Sequence, residues 1–164
     1  MEQGYQTESS VTDATVCTGP SPVYNSVQIR PEEIPMAKTF MQMVQEAKAE
    51  VPSVSPVEAQ RRFQENPDAL LLEVRDPGNI PVDEKAPNMV NISLGTLPIR
   101  ADLEVPEDRR DPRVQDRSRQ VITTCGLGNL AAMGARLLKE MGFTNVSYME
   151  GGMKAWKDAG LPTE

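Results

Sequence analysis

The segment Gln120-Val121-Ile122-Thr123-Thr124 runs into Cys125-Gly126-Leu127-Gly128-Asn129-Leu130, and Ala131 to Gly142 then reads as a helix. A β-rich run that ends on a cysteine, followed by a turn with two glycines and a helix, would aim several backbone N–H groups and a helix N-terminus at one sulfur. Such surroundings stabilise a thiolate and receive an anion. Cys125 is the candidate nucleophile, and Gly126, Leu127, Gly128, Asn129 and Leu130 form the candidate anion-binding loop. Gly126 and Gly128 would permit positive φ and the close approach of a substrate. The alternative is a small buried hydrophobe at a strand end, followed by an ordinary turn.

No histidine occurs anywhere in the chain. A Cys-His protease pair, a Ser-His-Asp triad and any His-containing zinc site are therefore excluded. The two cysteines, Cys17 and Cys125, are far apart and belong to different kinds of segment. They form neither a convincing metal site nor a disulfide framework, so no metal or organic cofactor is expected and a reducing compartment such as the cytoplasm is. A net charge of −7 argues against nucleic acid, whose binders need a basic surface. No apolar run approaches the ~20 residues of a spanning helix, and Met1-Glu2-Gln3-Gly4 lacks the basic start and apolar core of a secretory signal, so no membrane association is expected.

The elements that must position Cys125 follow from pattern. With 164 residues, 38% of them hydrophobic and 4% aromatic, the chain suits one compact domain plus an appendage. Residues 1–36 are rich in Ser, Thr, Gln and Pro and read as a flexible, polar, acidic tail; residues 1–50 hold seven acids and three bases. Residues 37–50 place Phe40, Met43, Val44 and Ala47 at helical spacing, an amphipathic helix packing on its own domain or, through its methionines, on a partner. Residues 51–164 alternate α and β. Ser55-Pro56-Val57-Glu58 is a helix start and Pro67 a stop. Leu70 to Val74, Met89 to Leu94, Val121 to Thr124 and Val146 to Met149 are short strands, the first a continuous apolar run suited to burial on both faces. Ala131, Met133, Gly134, Leu137, Leu138 and Met141 give the helix after Cys125 an apolar face, and a last helix with Met153 and Trp156 follows Gly151-Gly152. This predicts an α/β sandwich with a mostly parallel central sheet flanked by helices, its site at the carboxyl ends of the strands.

Four blocks carry a resemblance: Leu71-Leu72-Glu73-Val74-Arg75-Asp76, Met89 to Leu94, Val121 to Cys125, and Tyr148-Met149-Glu150-Gly151-Gly152-Met153-Lys154-Ala155-Trp156 before Gly160-Leu161-Pro162. Over roughly Val54 to Pro162 the chain resembles a rhodanese-like domain, the single-domain sulfurtransferase family. The resemblance implies a three-layer sandwich whose loop cysteine takes a sulfane sulfur from a donor such as thiosulfate or glutathione persulfide. The resulting Cys125 persulfide passes its sulfur to a thiol or protein acceptor. Glu73 and Arg75 would brace the loop from the neighbouring strand, and Cys17 would either resolve the persulfide as a disulfide or stay uninvolved.

The chain departs from the family pattern at several places. Gly126 and Leu130 stand where many members have arginine, Lys85 where a histidine is usual, and Glu73 where aspartate is usual. These changes imply weak activity on thiosulfate, a different donor, or a purely sulfur-carrying role. Residues 100–119 hold six arginines and six acids, and Arg109, Arg110, Arg113, Arg117 or Arg119 would supply the missing cation if the segment reached over the loop; otherwise it is a self-paired solvated loop. A phosphatase of the related dual-specificity type needs an arginine six positions after the cysteine to grip phosphate, and that position is Ala131. The remaining alternative is a non-catalytic sulfur-carrier, redox-sensing or protein-interaction module.

Overall fold

A computed structural model describes residues 37–164. The expected tail, and Cys17 within it, lie outside the described residues. The described chain opens with α1 (Phe40–Glu50), capped by Thr39, whose side chain accepts from Gln42 N while Gln42 reaches back to Thr39 N. Then follow β1 (Ser53–Val54), α2 (Pro56–Glu65), β2 (Leu70–Glu73), β3 (Val90–Asn91), α3 (Leu97–Ala101), β4 (Val121–Thr124), α4 (Asn129–Glu140), β5 (Val146–Met149) and α5 (Gly152–Asp158). The strands form one sheet in the order β1-β5-β4-β2-β3, every pair parallel. Among the described residues, no helix is long and apolar enough to cross a membrane.

Two apolar clusters, one on each face of the sheet, make a three-layer α/β sandwich. Leu70, Leu72, Val74 and Val121 pack with residues of α1, α3 and α4, whereas Leu71, Ile122 and Met149 pack with Ala59 of α2 and Met153 and Trp156 of α5. Alternate residues of β2 therefore serve opposite layers, which is why its sequence is continuously apolar. Trp156 is buried, and its Nε1–H donates to Pro162 O at 2.9 Å, tying the chain after α5 back onto that helix.

Three local departures from the sequence reading have physical causes. The segment expected as a strand from Met89 to Leu94 is a regular strand only at Val90–Asn91; Ile92 N and Leu94 N still donate to Glu73 O and Val74 O, and the N–H groups of Thr96 and Leu97 then both turn back to Ser93 O and lead into α3. The helix after Cys125 starts at Asn129 rather than Ala131, so Asn129 and Leu130 belong to its first turn. In α1, Val44 and Ala47 are buried but Phe40 is exposed. The attachment of α1 lies in its later turns, where Arg136 bridges Glu46 and Glu50 and Lys139 Nζ donates to Glu50 O at 2.6 Å.

The crossover pattern creates the site. From β2 the chain moves outward to β3, and from β4 it moves the opposite way to β5, so the topological switch lies between β2 and β4. Their register pairs Glu73 with Thr124. Val74 and Cys125 consequently leave the sheet side by side at its carboxyl edge, and Arg75 follows next to Gly126. Burial predicts that Leu72→Ala lowers the unfolding free energy by about 2–5 kcal/mol, while Met41→Ala, on the exposed side of α1, stays within about 0.5 kcal/mol, both read by urea denaturation.

Candidate active site

Cys125 is a free thiol, 3% exposed, at the carboxyl end of β4. Its Sγ accepts from Gly128 N at 3.1 Å and from Ala131 N at 3.4 Å. Gly128 lies in the expected loop, but Ala131 does not. It is the third residue of α4, and its N–H reaches the sulfur because the first turn of a helix has no internal acceptor for it. Thr123 Oγ1 donates to Ala131 O at 2.8 Å and pins that turn to β4.

A second helix shapes the loop. Met153 N donates to Cys125 O at 2.7 Å and Lys154 N to Gly126 O at 3.0 Å, so the first turn of α5 holds both carbonyls. In a trans peptide the next N–H points opposite to the carbonyl. The N–H groups of Gly126 and Leu127 therefore face away from α5. Among the described residues no protein acceptor meets the N–H of Gly126, Leu127, Asn129 or Leu130. These four flank the two on Sγ, so backbone N–H groups of residues 126–131 either hold the sulfur or stand without a protein acceptor beside it along the chain.

This docking demands glycine. A Cβ on Gly152, whose φ is +61°, would lie 2.1 Å from Cys125 O and 2.7 Å from Gly128 N. On Gly128, with φ +85°, it would lie 3.0 Å from Gly151 N. Gly126 has no such backbone constraint, and its nearest neighbour is Arg75 Nη1. Leu127, at the loop tip, is 63% exposed, while Leu130 packs against the core.

Arg75 and Glu73 lie at the end of β2, with Arg75 Nη1 nearest to Gly126. Glu73 is fully buried. Its carboxylate receives Arg75 Nε at 3.0 Å and Nη2 at 2.9 Å, as well as Arg75 N at 2.9 Å. Glu84 takes Nη1 at 2.7 Å. Burial opposes the charge on Arg75, but the hydrogen bonds to Glu73 and Glu84 outweigh it and hold the guanidinium above its ordinary value. Asn91 Nδ2 closes the corner by donating to Glu73 O and Arg75 O. With two carboxylates on one guanidinium, Arg75 is a brace rather than an available cation.

Four of the five arginines expected to reach over the loop are bonded elsewhere. Arg110 donates to Val105 O, Arg113 pairs with Asp111, Arg117 donates to Ala101 O, and Arg119 donates to Asp68 O just before β2 begins. Arg117 and Arg119 lie at the amino end of the sheet, opposite Cys125. One residue near the loop escaped sequence reasoning: Lys48 of α1 donates to Asn129 Oδ1 at 3.0 Å. Its helical spacing was legible, but its 81-residue separation from Asn129 was not bridged by any pattern.

Two variants test this construction. Gly152→Ala places a non-glycine residue at positive φ and pushes a methyl into the Cys125 carbonyl, costing at least about 2 kcal/mol, whereas Gly78→Ala, with open space around it, changes stability by less than about 0.5 kcal/mol. Arg75→Met strands the buried Glu73 carboxylate and lowers the unfolding free energy by about 3–5 kcal/mol, and adding Glu73→Leu recovers much of that loss. Urea unfolding of the four variants measures both.

Comparison with known proteins agrees with this architecture. The family model described as "Rhodanese-like domain" matches residues 55–159. The polysulfide-sulfur transferase of Wolinella succinogenes, a homodimer, is 33% identical at a TM-score of 0.61, over 76% of this chain and 86% of that one. A protein of Rhodopseudomonas palustris, described as of unknown function and a possible tyrosine phosphatase, is 27% identical at a TM-score of 0.71, over 79% of this chain and 97% of that one. The thiosulfate sulfurtransferase of Pseudomonas aeruginosa shares the fold at 22% identity and a TM-score of 0.59, over 76% of this chain and 22% of its own. The cysteine loop between two parallel strands, the helix turn docked on it and the family match over residues 55–159 together establish that this chain belongs to the rhodanese-like domain family.

Proposed function

We propose that this protein is a sulfurtransferase that carries a sulfane sulfur on Cys125. The observation that supports the reading is a buried cysteine whose Sγ accepts two backbone N–H groups, in a loop whose other four N–H groups meet no protein acceptor among the described residues. In this scheme the Cys125 thiolate attacks the outer sulfur of thiosulfate. A bond forms between the two sulfurs, the S–S bond of thiosulfate breaks, and sulfite departs with the electron pair. The persulfide anion that remains lies among the N–H groups of residues 126–131, which stabilise its charge without a titrating partner. An acceptor nucleophile then attacks the outer persulfide sulfur, and the breaking S–S bond returns its electron pair to Cys125. Cyanide serves as an assay acceptor, and a thiol or a protein cysteine is the natural class.

The donor is an anion or a persulfide: thiosulfate, polysulfide or a low-molecular-weight persulfide such as glutathione persulfide. The 33% identity to a polysulfide-sulfur transferase supports the polysulfide end of that range. A free thiol as nucleophile suits a reducing compartment such as the cytoplasm. The phosphatase description of the Rhodopseudomonas relative finds no support at this site. The sixth residue after Cys125 is the buried Ala131, and the nearby Arg75 is held by two carboxylates.

Intact-mass analysis after exposure to thiosulfate, polysulfide or glutathione persulfide tests the reading, on wild type, Cys125→Ser and Cys17→Ser. The expected result is a one-sulfur mass gain lost only in Cys125→Ser, together with cyanide-dependent turnover. A mass gain without turnover would make the protein a sulfur carrier, and no gain from any donor would leave the fold as a redox-sensing or interaction module.

A further inference from the structure

We propose that Lys48, on the helix that precedes the rhodanese-like segment, draws anionic sulfur donors to the Cys125 loop. The inference rests on the sulfur-transfer reading for its substrate and on the charge balance around the loop for its argument. An anionic donor approaching a thiolate is repelled unless a cation faces it. Neither Arg75 nor the side chains of residues 126–130 provide one, since Arg75 is bound to Glu73 and Glu84. Lys154, whose N–H holds the loop, has its ammonium on Asp158 at 2.6 Å.

Lys48 differs from both. It is exposed, and among the described residues its ammonium bonds to a neutral oxygen, Asn129 Oδ1. The acids on its own helix are engaged elsewhere: Glu46 with Lys38 and Arg136, and Glu50 with Arg136. Asn129 directly follows Gly128, whose N–H touches Sγ. The bond to Asn129 therefore holds, beside the Cys125 loop, a positive charge that meets no carboxylate among the described residues. That charge comes from a residue outside the 55–159 match, fixed there by the packing of Val44 and Ala47. It takes the place of the loop arginines that Gly126 and Leu130 replace. A cation in the last turn of α1 also favours that helix, an effect on stability that a ratio of reagent rates does not register.

The experiment compares alkylation of Cys125 by iodoacetate, an anion, with alkylation by its neutral isostere iodoacetamide, in full-length Cys17→Ser protein followed by intact mass. The ratio of the two rates cancels any change in thiolate fraction or loop accessibility. Lys48→Ala should lower the iodoacetate to iodoacetamide ratio about threefold and Lys48→Glu about tenfold. Lys48→Arg should retain it, added salt should erase the difference, and Lys38→Ala, at the other end of α1, should leave it unchanged. In the sulfur-transfer assay the same variants should raise the KM for thiosulfate more than they lower kcat. A ratio unmoved by both Lys48→Ala and Lys48→Glu overturns the proposal. A ratio that falls while no donor persulfidates Cys125 upholds the cation at the loop and overturns the sulfur-transfer reading alone.

Discussion

Two peptide carbonyls determine what the site can do. Cys125 O and Gly126 O are held by the first-turn N–H groups of α5, and planar trans geometry then turns the following N–H groups away from that helix. If those carbonyls faced the loop interior, the sulfur would sit among partial negative charges and an anion would be excluded. Everything nearby serves this orientation. Gly151 and Gly152 take positive φ so that the α5 turn can approach the loop backbone, and Gly128 takes it to enter α4. The sheet supplies the rest, because only strands paired at fixed register bring the end of β4 and the end of β5 within reach of each other.

The electrostatic arrangement has two layers. At the end of β2, Glu73, Arg75 and Glu84 form a network with two negative charges on one positive, which leaves no net positive charge there. A buried carboxylate of this kind is tolerable only while every oxygen is bonded, and Glu73 meets that condition through the guanidinium and the Arg75 amide. On the opposite side, Lys48 of a separate helix donates to Asn129 at the start of α4. Backbone N–H groups of the loop and of α4 hold the sulfur, and the proposed role of Lys48 adds one side chain to them.

Much of this was legible in the sequence. The strand-cysteine-glycine-helix order located the buried loop cysteine between β4 and α4, the apolar run Leu70 to Leu72 announced a strand covered on both faces, and Ser55-Pro56 marked a helix start that the structure places at Pro56. Other elements were not legible. Ser53–Val54 is too short to show a period yet pairs with β5, and α3 arises from a turn at Ser93 rather than from an apolar stripe. The participation of Ala131 depended on a helix beginning two residues earlier than its apolar face suggested.

The sequence by itself determined the chemistry available: one loop cysteine, no histidine, glycines where backbone must approach backbone, and the order of α and β elements. These are properties of residue types and of neighbours along the chain, which pattern records directly. Only the tertiary structure decided where the cations stand. It turned Arg75 into a brace, took Arg117 and Arg119 to the far end of the sheet, and brought Lys48 to Asn129. Charge pairing depends on distance in space. Long flexible side chains meet partners far away in sequence, so composition counts the charges but cannot say which of them remain uncompensated.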